Sequence, residues 1–207
     1  MSPVSNTEKL DFSATFFVQS ASTLKQCPAD ESDEVAFVGR SNAGKSSAIN
    51  ALTGQPKLAR TSKTPGRTQL LNFFQVAEKK YLVDLPGFGY AKVPAEVKAQ
   101  WERQLEAYLR DRRSLRGLIL LMDCRHPLKP QDRQIIQWCM DASMPVHILL
   151  TKSDKLKSGA RKKVLLETRR TLGDMDGLVS IQLFSALNND GTGELKGRLQ
   201  NWLCPTG

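Results

Sequence analysis

The sequence predicts an α/β domain built on a mostly parallel sheet, with one antiparallel strand and helices on both faces. Three observations carry the prediction. Short runs that are apolar on successive residues alternate with longer runs whose apolar residues recur at helical spacing. No internal repeat and no long linker interrupts that alternation. A chain of 207 residues suits a single core, which at this size buries roughly 70% of the surface the unfolded chain exposes.

Met1 to Glu34 is polar and mixed, and its one apolar patch (Phe12, Phe16, Phe17, Val18) is expected to dock on the main body. The chain therefore divides into an extension, 1–34, and a main domain, 35–207. Val35–Val38 is the first strand. Gly54 to Thr68 carries Gly, Pro and Thr with basic residues and no acid, which reads as a mobile loop. Leu70 to Val76 and Tyr81–Leu85 are close enough for an antiparallel hairpin across Ala77–Lys80. A helix follows, with Val97, Trp101, Leu105, Tyr108 and Leu109 on one face. Beyond it come the strand Gly117–Met122, the stripe Ile135, Ile136, Cys139 and Met140, and the strand Val146–Leu150. The last units are the face Ala160, Val164, Leu165, Thr168 and Leu172, the strand Leu178–Phe184, and the stripe Leu195, Leu199, Trp202 and Leu203. His147 lies inside a buried-type strand and reads as a core residue, and His126 as a loop residue.

Composition narrows the possible functions. Cys27, Cys124, Cys139 and Cys204 lie far apart, so neither a zinc site nor a disulfide scaffold is indicated, and reduced thiols are expected. The longest clean apolar run, Leu118 to Met122, is far below the roughly 20 residues of a membrane span. Met1 to Lys9 has no apolar signal core, which makes the cytoplasm the expected location and a membrane partner unexpected. A net charge of +9 favours a polyanionic partner, with nucleic acid first in line.

Four motifs carry chemistry. Gly39-Arg40-Ser41-Asn42-Ala43-Gly44-Lys45-Ser46 matches GxxxxGKS directly after a predicted strand and opening a predicted helix. Backbone N–H groups of such a loop wrap phosphates at a helix N-terminus. Lys45 would hold the β- and γ-phosphates, and the Ser46 hydroxyl would ligate Mg²⁺. Next, Asp84-Leu85-Pro86-Gly87 ends a strand in DxxG: Asp84 is placed to hold Mg²⁺ through a water, and the Gly87 N–H to sense the γ-phosphate. Third, Thr151-Lys152-Ser153-Asp154 follows a strand at the sheet edge where open α/β folds bind ligands. The Asp154 carboxylate can accept from guanine N1–H and the N2 amine, a donor pair adenine lacks, while the Lys152 stem packs along the purine. Last, Phe184-Ser185-Ala186 offers a backbone N–H to guanine O6. In this order and spacing the four imply a GTPase of the Ras-like P-loop class, binding GTP and GDP.

A further motif refines this. Thr61-Ser62-Lys63-Thr64-Pro65-Gly66-Arg67-Thr68-Gln69-Leu70 followed by Asn72-Phe73-Phe74 resembles the switch I of the bacterial EngB GTPases. Asp84 to Ala91 resembles their switch II, and Asp123 to Leu128 the segment after their fourth strand. The resemblance spans roughly Phe12 to Leu203. It implies a single-domain GTPase needed for assembly of the large ribosomal subunit; a monomer is expected, and the basic excess taken with the resemblance makes the subunit's rRNA the expected contact. It also implies Thr68 as the second protein ligand of Mg²⁺, with Gly66, Arg67, Thr68, Gln69 and Leu70 closing over the nucleotide, and Lys45, Thr68 and Gly87 as the catalytic set. On composition alone Thr61, Ser62 and Thr64 compete with Thr68.

Phe88 stands where Ras-like enzymes place a water-orienting glutamine, so slow intrinsic hydrolysis is expected. Phe88 also reads as an apolar anchor for switch II. Asn42 matches related GTPases that bind K⁺ beside the phosphates, where the cation supplies the charge of an arginine finger. Arg40 and Arg67 are rival charge donors. Lys152 to Leu172 concentrates eight Lys and Arg against Asp154 and Glu167, and Arg103, Arg110, Arg112, Arg113 and Arg116 form a second group expected to face solvent or rRNA. The competing reading is a regulatory GTPase acting on protein effectors, which needs no basic surface.

Overall fold

The computed structural model describes residues 9–60, 70–89, 95–173, 175 and 177–205. Among them the strands are β1 (Phe16–Ala21), β2 (Asp33–Gly39), β3 (Leu71–Ala77), β4 (Lys80–Asp84), β5 (Leu115–Asp123), β6 (Val146–Thr151) and β7 (Val179–Leu183). The helices are α1 (Lys45–Thr53), α2 (Ala95–Asp111), α3 (Pro130–Asp141), α4 (Ser158–Leu172) and α5 (Thr192–Leu203). The sheet order is β1-β3-β4-β2-β5-β6-β7, and only the β1–β3 and β3–β4 pairings are antiparallel, so β3 alone runs against the rest. The hairpin forms where expected. Ala77 pairs with Lys80 across Glu78 and Lys79, with Lys79 at φ 55.

The successive apolar residues of the central strands serve two cores. On β5, Leu118, Leu120 and Met122 face one side with Trp101, Leu105, Tyr108, Ile135, Ile136 and Cys139 of α2 and α3. Ile119 and Leu121 face the other, with Ile49 and Leu52 of α1 and Leu195, Leu199 and Leu203 of α5. Period-2 side-chain alternation between two helical layers explains why these strands read as unbroken hydrophobic runs. The α4 stripe is only partly realised: Thr168 and Leu172 are buried, Val164 and Leu165 half-buried, and Ala160 exposed, because α4 covers the β7 edge of the sheet rather than its centre.

Two expectations require correction. The patch before Glu34 does not dock as a unit. Phe12 is buried, whereas Phe16, Phe17 and Val18 belong to edge strand β1 and stay 55%, 50% and 38% exposed. A bulge between Phe17 and Gln19 bends that edge, and Phe17 packs edge-on against Phe74 at 5.9 Å. Nor does Arg112 face solvent. Its guanidinium is buried against the fully buried Glu34, with Nε donating at 3.0 Å, while the Tyr108 hydroxyl donates to the same carboxylate at 2.8 Å. This network ties the start of β2 to the end of α2. His147 is a core residue as read: its ring lies between Ser180 Oγ at 2.7 Å and Gln182 Oε1 at 2.8 Å.

Candidate nucleotide-binding site

The site is assembled at the carboxyl ends of β2, β4 and β6, where the sheet stops and connecting loops take over. Gly39 to Ser46 leaves β2 and turns into α1. Asn42 takes φ 63 and Gly44 φ 95, the latter a left-handed position that only glycine occupies without strain, and Gly44 caps the helix whose first residues are Lys45 and Ser46. Backbone N–H groups of that turn therefore lie at a helix N-terminus, as phosphate recognition needs.

Asp84 ends β4 beside this loop. It is 5% exposed, and the Lys45 ammonium is ion-paired to it. The chain then runs on through Leu85, Pro86 and Gly87 alongside the loop. Leu85 N–H donates to Phe37 O at 3.0 Å, Phe88 N–H to Gly39 O at 3.2 Å, and Ser41 N–H to Phe88 O at 2.7 Å. The Phe88 ring is buried and packs on Trp101 at 5.2 Å, while Trp101 Nε1–H donates to Pro86 O at 3.2 Å. Of the two readings of Phe88, the geometry displays the apolar anchor.

The third strand end, β6, locks onto the loop as well. Thr151 Oγ1 donates to Ala43 O at 2.6 Å, and the Lys152 ammonium to Asn42 O at 2.6 Å. Lys152 also pairs with Asp123 at 3.0 Å. Hydrogen bonds from Arg125, with the Lys152 charge added, hold the Asp123 carboxyl well below the usual range. Asp154 accepts from the buried Ser185 hydroxyl at 2.7 Å, a bond that lowers its pKa and keeps it a carboxylate at neutral pH. Ser153 N–H donates to Phe184 O at 3.1 Å, so the Phe184–Ala186 loop and the Thr151–Asp154 loop share one rim.

The residues expected from β2, β4, β6 and β7 thus come together. Of the switch I set, Leu70 is half-buried just before β3, and Gly66, Arg67, Thr68 and Gln69 lie outside the described residues, as do Tyr90 and Ala91 of switch II. Ser46 is 9% exposed, its hydroxyl 3.4 Å from Arg60 O. Sequence reasoning did not assign Asp123 as the partner of Lys152, nor the Ser185 side chain as the anchor of Asp154.

Known proteins resemble this chain in sequence and fold. The family model described as 50S ribosome-binding GTPase matches residues 34–152. A probable GTP-binding protein EngB of Shigella flexneri is 54% identical over 193 residues, covering 93% of this chain and 92% of that protein. The chain belongs to the EngB family. The EngB protein of Vibrio parahaemolyticus serotype O3:K6 is 51% identical over 197 residues, 95% of this chain and 90% of its own. A crystal structure of a probable EngB matches with a TM-score of 0.67 at 24% identity, over 82% of this chain and 98% of that one, which shows the shared fold. As an EngB GTP-binding protein, the chain binds GTP and hydrolyses it.

Proposed function

We propose that this protein is a GTP-driven switch acting in the cytoplasm on the assembly of the large ribosomal subunit. The observation that carries the reading is the convergence of Lys45, Asp84 and Asp154, from three strand ends, on one rim of a chain that matches ribosome-binding GTPases. In this reading Gly39 to Ser46 cradle the phosphates, Lys45 offers its charge to the β- and γ-phosphates, and the Gly87 N–H receives the γ-phosphate. Asp154 accepts the guanine N1–H and N2 amine, with Lys152 along the purine and the Phe184–Ala186 backbone toward O6. Thr68 and its neighbours Gly66 to Leu70 complete switch I.

The donors fit Mg²⁺. Ser46 and Asp84 offer hard oxygens on abutting elements, the donor type Mg²⁺ takes. When bound there, Mg²⁺ neutralises charge on the phosphate oxygens. The exposed Asn42 side chain, without a hydrogen-bond partner among the described residues, is suited to K⁺ beside them.

The basic surface is better defined than composition suggested. Around α2, Arg112 is buried, Arg110 pairs with Glu106 and Asp111, and Arg116 with Asp33. On and before α4, Lys157, Lys162 and Arg170 are exposed and have no ion pair among the described residues. Arg103 and Arg113 around α2 and Arg169 on α4 are likewise exposed with no ion pair among the described residues, and all six are cations available to an rRNA backbone. Co-sedimentation of the protein with large ribosomal subunits tests the reading: a GTP analogue should carry it into the subunit fraction and GDP should not. Equal pelleting with both nucleotides would overturn it.

A further inference from the structure

Asp123 to Leu128, the segment that leaves β5, lies outside the four nucleotide motifs. Parallel pairing of β5 with β6 sets Asp123 opposite Thr151, and the ladder runs one step further, with Cys124 N–H donating to Thr151 O at 3.0 Å. Register therefore delivers the Asp123 side chain beside Lys152, the residue after Thr151. The Lys152 ammonium stands 3.0 Å from Asp123 Oδ2.

The carboxylate is not free to turn away. Arg125 grips both of its oxygens, Nε donating to Oδ1 at 2.9 Å and Nη2 to Oδ2 at 2.6 Å, and the Arg125 backbone N–H adds a bond to Oδ1 at 3.1 Å. A guanidinium fork fixes a carboxylate in both plane and direction. From that anchor the Lys152 ammonium reaches across to Asn42 O at 2.6 Å, so one cation joins the Thr151–Asp154 loop to the phosphate loop. Both residues of the link hold left-handed backbones, Lys152 at φ 58 and Asn42 at φ 63. Residues with side chains persist in such conformations only where surrounding contacts over-determine them.

We propose that Asp123, braced by Arg125, is a positioning residue for nucleotide binding: it presets Lys152 across the site, so that the base loop and the phosphate loop are held at their working separation before the nucleotide arrives. The proposal rests on the reading that Lys152 lies along the purine. A flexible four-carbon stem left to itself would have to be ordered at the moment of binding, which lowers affinity. The clamp acts on the base loop and the phosphate loop, which serve GDP and GTP alike, so both nucleotides should depend on Asp123 equally.

Asp123→Asn keeps the shape and removes the charge, and the exposed Arg125 is free to rehydrate. It should weaken GDP and a non-hydrolysable GTP analogue alike by about 10-fold, mainly through faster dissociation. Asp123→Glu, which keeps the charge, should come within about 3-fold of wild type, and Arg125→Gln, which leaves Asp123 on Lys152, should lose about 3-fold. In a Lys152→Met protein, Asp123→Asn should change affinity by less than about two-fold, because the ammonium it positions is gone. Stopped-flow dissociation of a fluorescent GDP analogue, and competition against it, supply the constants. If Lys152→Met binds both nucleotides as wild type does, the placement of Lys152 on the purine falls, and the proposal with it. If Lys152→Met weakens binding while Asp123→Asn stays within about two-fold of wild type, the positioning role alone is refuted. It is refuted equally if Asp123→Asn loses as much in the Lys152→Met background as in wild type, or if Asp123→Glu binds no better than Asp123→Asn, because the loss then does not run through the ammonium.

Discussion

Phe88 occupies the position from which Ras-like enzymes present a glutamine, and restoring glutamine there is the obvious way to speed hydrolysis. The structure predicts that Phe88→Gln fails. The ring is 3% exposed and packed on Trp101, on the α2 side of the sheet. Truncating a buried phenylalanine to alanine costs about 3–5 kcal/mol. Glutamine recovers part of the volume but buries an amide, at about 1–3 kcal/mol if it stays unpaired. The net loss should be about 3 kcal/mol, a large share of a typical 5–15 kcal/mol stability. Phe88→Leu, which keeps the apolar contact, should lose about 1 kcal/mol. Urea denaturation reads the difference as a midpoint lowered by roughly 1–2 M for Phe88→Gln. Single-turnover hydrolysis of both variants should stay at or below the wild-type rate, itself on the order of unassisted small GTPases, ~10⁻⁴ to 10⁻³ s⁻¹. A Phe88→Gln protein of near wild-type stability that hydrolyses GTP ten times faster would refute the buried-anchor account.

Three other outcomes are expected. Replacing Lys157, Lys162 and Arg170 with glutamine should lower the salt dependence of subunit binding by about 2–3 in log–log slope, with GTP affinity unchanged; an unaltered slope would remove α4 from the interface. Burial lowers the His147 pKa to about 4, so its stability contribution is complete above pH 6.5 and is lost as pH falls toward 4. Denaturation at pH 7.5 and 4.5 should therefore show His147→Gln with a flatter acid limb than wild type, the full effect being ~3 kcal/mol. Asp132 has the opposite sign: burial pushes its carboxyl up to about 6, so the stability it contributes is complete below 3.8 and lost as pH rises through 6. Asp132→Asn should accordingly gain stability at pH 7.5 and little at pH 4.

The juxtaposition of the candidate site residues was legible because they sit at fixed offsets from strand ends: Gly39 closing β2, Asp84 closing β4, Thr151 closing β6 and Ser185 after β7. Strand order and handedness then bring those offsets together without long-range information. Features set by tertiary contact did not show. Phe16, Phe17 and Val18 read with Phe12 as one docking patch because an edge strand bent by a bulge lacks clean alternation. Arg112 resembled its surface neighbours because nothing in the local sequence records that Glu34, far away along the chain, is buried against it. Ser185 and Asp132 were silent for the same reason: the partner of one, and the lack of a partner among the described residues for a buried oxygen of the other, exist only in the folded chain.

The central claim is that nucleotide held by Lys45, Asp84 and Asp154 governs docking on the large subunit. Asp154→Asn offers the most direct test, because it exchanges one carboxylate acceptor for a donor and should weaken guanine binding ~100-fold while favouring xanthine, which carries O2 in place of the N2 amine. Asp154→Asn protein is sedimented with large subunits in the presence of a non-hydrolysable xanthosine triphosphate analogue or its guanosine counterpart. The account predicts docking with the xanthosine analogue alone, at nucleotide concentrations where the wild type docks with the guanosine analogue alone. Docking of the variant that is the same with either analogue, or without nucleotide, would contradict it.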